Sequence, residues 1–272
     1  MAAHPITRTL LPTAAALLLL TGCTSGADEP TTPDTSVPAV DFSSELSHLH
    51  GLHVGKDGTV LAGTHTGIFA IDTSGSTSRV GGSDDDFMGL TGVPNTDNLF
   101  ASGHPGPSSF AANPLGLRSS TDGGGSWMDR SLAGQVDFHA LSTDGRILVG
   151  FDGTDGLLVS TDAGTTWTPG AKLVAAALAI NDNGVWAVTP AGLEHSTTAA
   201  RTFSPVPDAP QLVMIAGAGD ALWGIDVDGY AWRSRGGQDW QKRAQVGTVD
   251  ALTAANYDTA YAATSQALYT LN

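Results

Sequence analysis

The 272-residue sequence contains one cysteine, so no disulfide can form within the chain. It contains three lysines and three glutamates. A helical bundle needs far more of both on its solvent faces, so long helices are not expected. Positive charge is scarce, with 12 Lys and Arg against 27 Asp and Glu, a formal net charge of −15. No cluster of bases offsets this, and an acidic surface repels phosphate backbones, which excludes nucleic acid as a partner. The apolar run around Leu10 to Leu20 is about half of the roughly 20 residues that a membrane-spanning helix requires. What the chain does have is 34 glycines and 41% hydrophobic residues. That is enough for a core, in an all-β, strand-and-turn protein near the upper size of a single domain.

The N-terminus reads as an export signal. Residues 1–22 carry Arg8, then the short apolar run, then Leu20-Thr21-Gly22 ahead of Cys23. This segment resembles the bacterial lipobox, whose cysteine is diacylated and becomes the mature N-terminus. The resemblance implies lipidation at Cys23 and a protein held on the extracytoplasmic face of a bacterial membrane by its lipid. Residues 23–41 are rich in Thr, Ser, Pro and Asp with little to bury, and are expected to be a disordered tether. Residues 42–272 remain for the folded body.

That body repeats. Short apolar strands centred on Leu52, Leu90, Leu141, Leu178, Ile215 and Leu252 recur at intervals of 38, 51, 37, 37 and 37 residues. The extra length of the one long interval falls in the segment from His104 to Pro114. Each unit continues with a second apolar strand (Leu61, Phe100, Val149, Trp186, Trp223, Tyr261) and a third that opens on glycine in the first five units. Four short strands per unit of about 40 residues is the signature of a β-propeller blade. Six blades are expected, with seven as the alternative if the His104 segment hides one. The last unit has room for three strands only, so its fourth is expected from the N-terminal side, near Val40 to Leu46. Such closure hides a sheet edge that would otherwise template aggregation.

Two units end in the same turn. Ser120, Asp122 and Trp127 in one, and Ser160, Asp162 and Trp167 in the other, fit the pattern S-x-D-x-G-x-[ST]-W, and degenerate copies end at Phe203 and Trp240. The Asp and Ser side chains bond the hairpin backbone, and the Trp is expected to bury between neighbouring units. On these motifs the chain resembles the Asp-box (BNR) repeat propellers, which include sialidases, sortilin-like receptors and photosystem II assembly factors.

In a propeller the start of each first strand and the end of each second strand meet at one mouth of the central channel. Those positions carry His48, His50 and His65 from blade one, Asp86, Met88 and His104 from blade two, and Asp137, His139 and Asp152 from blade three. Five of the eight histidines therefore converge on one sector. Mixed imidazole and carboxylate donors suit zinc or copper, and a thioether favours copper. The metal-ligand set expected is His48, His50, His65, His104, His139, Asp86 and Asp137. His53, at the opposite parity, is expected to pack against a neighbouring blade, and His195 to be structural. The His104 loop is expected either to cap this mouth as a lid or to be a plain insertion, while Asp84 and Asp85 read as a solvated turn.

The segments HLHGLH, GTHTG, DDFMGL, SGHPGP, NPLGL and DFHAL resemble small bacterial secreted propellers labelled glycosylhydrolases. That resemblance implies a sialidase-like fold, but sialidases hold their substrate with three arginines and attack it with a Tyr/Glu pair. No mouth position here is Arg, and Glu194, on an outer strand, is the single Glu within the blades. The expectation is a monomeric, ligand-binding propeller that takes copper or zinc, with an envelope protein as a further partner. The alternatives are glycoside hydrolysis, with Asp86 and Asp137 as acid and base, and a non-catalytic assembly scaffold.

Overall fold

The computed structural model describes residues 37–154 and 156–272. The expected signal peptide, Cys23 and the expected tether up to residue 36 lie outside the described residues. The chain enters at β1 (Ala39–Asp41) and then lays down five four-stranded antiparallel sheets in succession. Blade one is β2 (Leu49–Val54), β3 (Val60–Thr64), β4 (Gly67–Ile71) and β5 (Thr77–Val80). Blade two is β6 (Asp86–Gly92), β7 (Leu99–His104), β8 (Leu117–Ser120) and β9 (Met128–Ser131). Blade three is β10 (Ala140–Thr143), β11 (Leu148–Phe151), β12 (Leu158–Ser160) and β13 (Thr168–Pro169). Blade four is β14 (Ala177–Asn181), β15 (Gly184–Thr189), β16 (Gly192–Ser196) and β17 (Ser204–Pro205). Blade five is β18 (Leu212–Ala218), β19 (Ala221–Asp226), β20 (Tyr230–Arg235) and β21 (Gln238–Gln245). The sixth sheet, β22 (Ala251–Ala254), β23 (Ala260–Ala263) and β24 (Ala267–Leu271), is completed by β1.

This is an all-β, six-bladed propeller, and no helix occurs among the described residues. The seven-blade alternative falls because the segment after His104 forms no strand before Leu117. Closure uses Ala39–Asp41, paired to Tyr269, Leu268 and Ala267. The closing strand thus takes the last three residues assigned to the tether and ends before most of the expected Val40–Leu46 span. Beyond Asp41 the chain turns away, and Leu46 inserts its side chain between blades six and one.

Burial explains the sequence pattern. The apolar clusters lie between blades, one at each of the six junctions, not in a single central mass. A second strand is covered on both faces, so it reads as a continuous apolar run without alternation; every residue of β3, β11 and β19 is buried. Crowding near the axis selects small residues: a Cβ on Gly51 would lie 3.0 Å from Leu90 Cβ of the next blade. The glycine opening β4, Gly67, has φ +112°, which an L side chain rarely adopts.

The two S-x-D-x-G-x-[ST]-W turns are held by side-chain hydrogen bonds. Ser120 Oγ accepts the Gly124 amide at 2.9 Å and donates to Asp122, whose Oδ1 accepts the Ser126 amide at 2.9 Å. Ser160 and Asp162 repeat this with Gly164 and Thr166. The amide and hydroxyl of Thr166 hold the Asp162 carboxyl down to about 2. In blade four Thr198 replaces the aspartate and still accepts the Thr202 amide at 3.0 Å. Trp127 and Trp167 are half-buried, not fully buried. They pack on Phe87 and Phe138 with ring centroids 4.6 and 4.8 Å apart.

Candidate functional site

The antiparallel pairing brings the expected residues to one mouth. His50 lies in β2 where its pairing to β3 slips between Leu49 and Gly51, and Asp86 opens β6 ahead of a second slip that ends at Gly89. Such bulges turn a side chain out of the regular alternation. Here they let Leu49 and Phe87 fill the core while His50 and Asp86 face the mouth. His65 follows β3, His104 ends β7, and Asp137 and His139 precede β10.

The residues form two groups, each centred on one carboxylate. In the first, His65 Nδ1 lies 2.9 Å from Asp86 Oδ2 and 3.3 Å from His50 Nε2, and His50 Nε2 lies 3.7 Å from Asp86 Oδ1. One donor atom from each of His50, His65 and Asp86 falls within 4.8 Å of the others. His48 stacks on His65, with ring centroids 5.6 Å apart, and forms the outer wall. In the second group Asp137 Oδ2 lies 3.2 Å from His104 Nε2 and 3.1 Å from His139 Nε2. In each carboxylate the other oxygen is buried and has no hydrogen-bond partner. A buried anionic oxygen left without a partner is costly, and a cation offsets that cost.

Burial sets the charge state of the first group. Desolvation, reinforced by His65 and opposed by Asp86, lowers His50 to about 4, so its ring is neutral at pH 7. Burial also raises Asp137, against the pull of His139 and His104. Asp86 adds to that rise, and His139 adds to the lowering of His50, so the two groups sense each other across the mouth.

Other residues depart from the sequence expectation or were missed by it. Asp85 is not in a solvated turn: it is 2% exposed and ion-paired to Arg118 at 2.5 Å. Asp152 is occupied by its own turn, accepting the Thr154 amide and hydroxyl. The His104 loop is pinned to the body. Asp84 accepts from Ser108, Asp85 accepts the Gly106 amide, and the Gly134 amide donates to Pro114. On its solvent side Asn113 Oδ1 lies 2.8 Å from His104 Nδ1. An Asn-Pro pair beside His104 in the one insertion was the available signal for that contact. His53 is buried against blade two, its Nε2 2.8 Å from Thr96 O, and His195 stacks on Trp186 at 3.8 Å. Below the mouth a central channel of about 260 Å³ is lined at its entrance by His50, His139, Val213 and Asp250.

No protein-family model and no curated protein matches the sequence. Solved structures do. Virginiamycin B lyase from Staphylococcus aureus is 12% identical, with a TM-score of 0.55 over 87% of this chain and 99% of that one. The GH74 enzyme of Niastella koreensis is 16% identical, with a TM-score of 0.59 over 84% of this chain and 42% of its own. YCF48, solved bound to a D1 peptide, is 12% identical, with a TM-score of 0.53 over 87% of this chain and 95% of that one. At these identities the likeness is one of fold, and the fold hosts enzymes and peptide-binding proteins alike. The chain is a six-bladed β-propeller with a His/Asp cluster at one mouth.

Proposed function

We propose that the protein is a lipid-anchored, extracytoplasmic propeller that binds a transition metal, copper or zinc, through His50, His65 and Asp86. The observation that carries this reading is the set of three donor atoms within 4.8 Å of one another, one of them on a carboxylate whose second oxygen is buried without a partner. Around a tetrahedral ion with ligands at about 2.0–2.2 Å, neighbouring donor atoms lie about 3.3 Å apart. His65 Nδ1, at 2.9 Å from Asp86 Oδ2 and 3.3 Å from His50 Nε2, has separations near that value. Elemental analysis and calorimetric titration of the tag-free protein with Cu and Zn test it. Binding tighter than about 10 μM, roughly 7 kcal/mol, supports the reading, and weaker binding removes it. The anchor is tested separately: Cys23→Ser should release the protein from the membrane fraction, and retention there would end the lipoprotein reading.

A second reading, docking of an envelope protein partner on the same mouth, is favoured by the distribution of exposed apolar residues. Phe110, Val174, Val213 and Val227 are exposed large hydrophobics, and the strand order places all four in mouth-side segments of blades two, four and five. Pull-down from envelope extracts with wild type and a Phe110→Ser/Val213→Ser variant tests it, and equal recovery of the same partner would count against this surface. Glycoside hydrolysis by Asp86 and Asp137 gains no support, since each carboxylate already faces two imidazoles.

A further inference from the structure

The two carboxylate groups share one imidazole–carboxylate pair, repeated a blade apart. Counting back from the repeat leucines, Asp86 and Asp137 both stand four residues before Leu90 and Leu141. His65 and His104 both stand four residues after Leu61 and Phe100. In each case the imidazole that closes one blade's second strand meets the carboxylate that opens the next blade, at 2.9 Å in the first and 3.2 Å in the second. The third members differ in origin: His50 shares a blade with His65, whereas His139 shares one with Asp137, and the repeat equivalent of His50 in blade two is Met88. The pattern stops at blade four, where Val174 holds the carboxylate position.

We propose that His104, Asp137 and His139 form a second metal site, so that the mouth holds two ions side by side; this rests on the metal reading of the first group. Three observations support the second site. Asp137 Oδ2 lies 3.1 Å from His139 Nε2 and 3.2 Å from His104 Nε2, close to the roughly 3.3 Å between neighbouring donors of a tetrahedral zinc-sized ion. Asp137 Oδ1 is buried without a partner. Asn113 Oδ1 lies 2.8 Å from His104 Nδ1 and so engages that nitrogen, which leaves Nε2, the atom facing Asp137 Oδ2, as the one placed to coordinate an ion. An imidazole that donates its other N–H to a fixed acceptor is the usual support of a metal-bound histidine. The pinned insertion therefore supplies a positioning residue, Asn113, for the second ion.

The second site is the weaker of the two. His104 and His139 are 45% and 54% exposed and reach Asp137 from adjacent blades, so their rings must swing together to close on an ion. In the first group the donors are already gathered, with His50 at 11% exposure.

The test is titration of the full-length, tag-free chain with Zn(II) alone and with Cu(II) alone, counted by calorimetry and native mass spectrometry. Wild type should bind two ions, the second at least about tenfold more weakly. His104→Gln/His139→Ala should leave only the tight ion, and His50→Ala/His65→Ala only the weak one; the first pair is on exposed rings, and circular dichroism checks each fold. Asn113→Ala should weaken the second ion about 10-fold or more while sparing the first, and Asn113→Asp should restore it. Saturation at one ion that survives His104→Gln/His139→Ala, or that either pair abolishes, overturns the second site and leaves the first reading standing. No binding at all overturns both.

Discussion

At the two positions where a first strand enters the mouth, blades one to three carry His48 and His50, Asp86 and Met88, Asp137 and His139. Blades four to six carry Val174 and Ala176, Gln211 and Val213, Thr248 and Asp250 at the same positions. Both halves have the same four-stranded sheets, and both pack through apolar layers between blades. The half without mouth histidines is the one with the two largest fully buried side chains, Trp186 and Trp223. The repeat dictates the residues that face neighbouring blades and leaves the mouth positions unconstrained, so chemistry can be confined to one sector without disturbing the ring.

The comparison breaks most severely at Arg118, which holds the polar half together. Its guanidinium is largely buried and pairs with the buried Asp85, which in turn fixes the insertion through the Gly106 amide. Arg118→Met should cost about 3–5 kcal/mol in urea unfolding, because it strands a buried carboxylate. A loss below about 1 kcal/mol would mean that water reaches Asp85.

Next in size, His50→Ala/His65→Ala should lower metal affinity at least about 100-fold, since ligands matter no less than the groups that orient them. Val213→Ala, at the position equivalent to His50, should leave the affinity unchanged; a comparable loss there would show that the apolar half shares the site.

The halves should also differ in their response to acid. His50 has an ordinary value of 6.5 when unfolded and about 4 when folded, so the unfolded chain binds the proton first. Stability should therefore fall as pH drops from about 6.5 to about 4 and level off below, by on the order of 2 kcal/mol once partial exposure is allowed for. His50→Asn should flatten that window in metal-free buffer, and an unchanged slope would place the titration elsewhere.

The smallest effect sharpens the contrast between a full and a degenerate turn. Asp162 accepts the amides of Thr165 and Thr166 and the hydroxyls of Ser160 and Thr166, whereas Thr198 accepts one amide and meets two hydroxyls. Asp162→Ala should lower Tm more than Thr198→Ala does; the reverse order would show that blade four relies more heavily on its turn.

The ring was legible in the sequence because a propeller repeats its burial pattern, and Leu141, Leu178, Ile215 and Leu252 keep a spacing of 37 residues. The convergence of the histidines was legible for the same reason, since strand register follows from the repeat. Division into two groups was not. It depends on the bulges at His50 and after Asp86, and on which blade each imidazole turns toward, and neither is written in residue spacing. Asp85 was misread because three successive aspartates look solvated, while the cation that pairs with one of them is 33 residues further along. The closing strand was placed a little late because Ala39–Asp41 has almost no apolar signal of its own; β24 selects it by offering an open edge.

That closing strand makes the ring a clasp with a short latch. Three residue pairs join β1 to β24, flanked by the bonds from Thr270 to Pro38 and from Phe42 to Gln266. A pull from the N-terminal side of the chain reaches the ring through Val37, Pro38 and these three pairs, and their loss would uncover the edge of β24 on the outer side of the sixth blade.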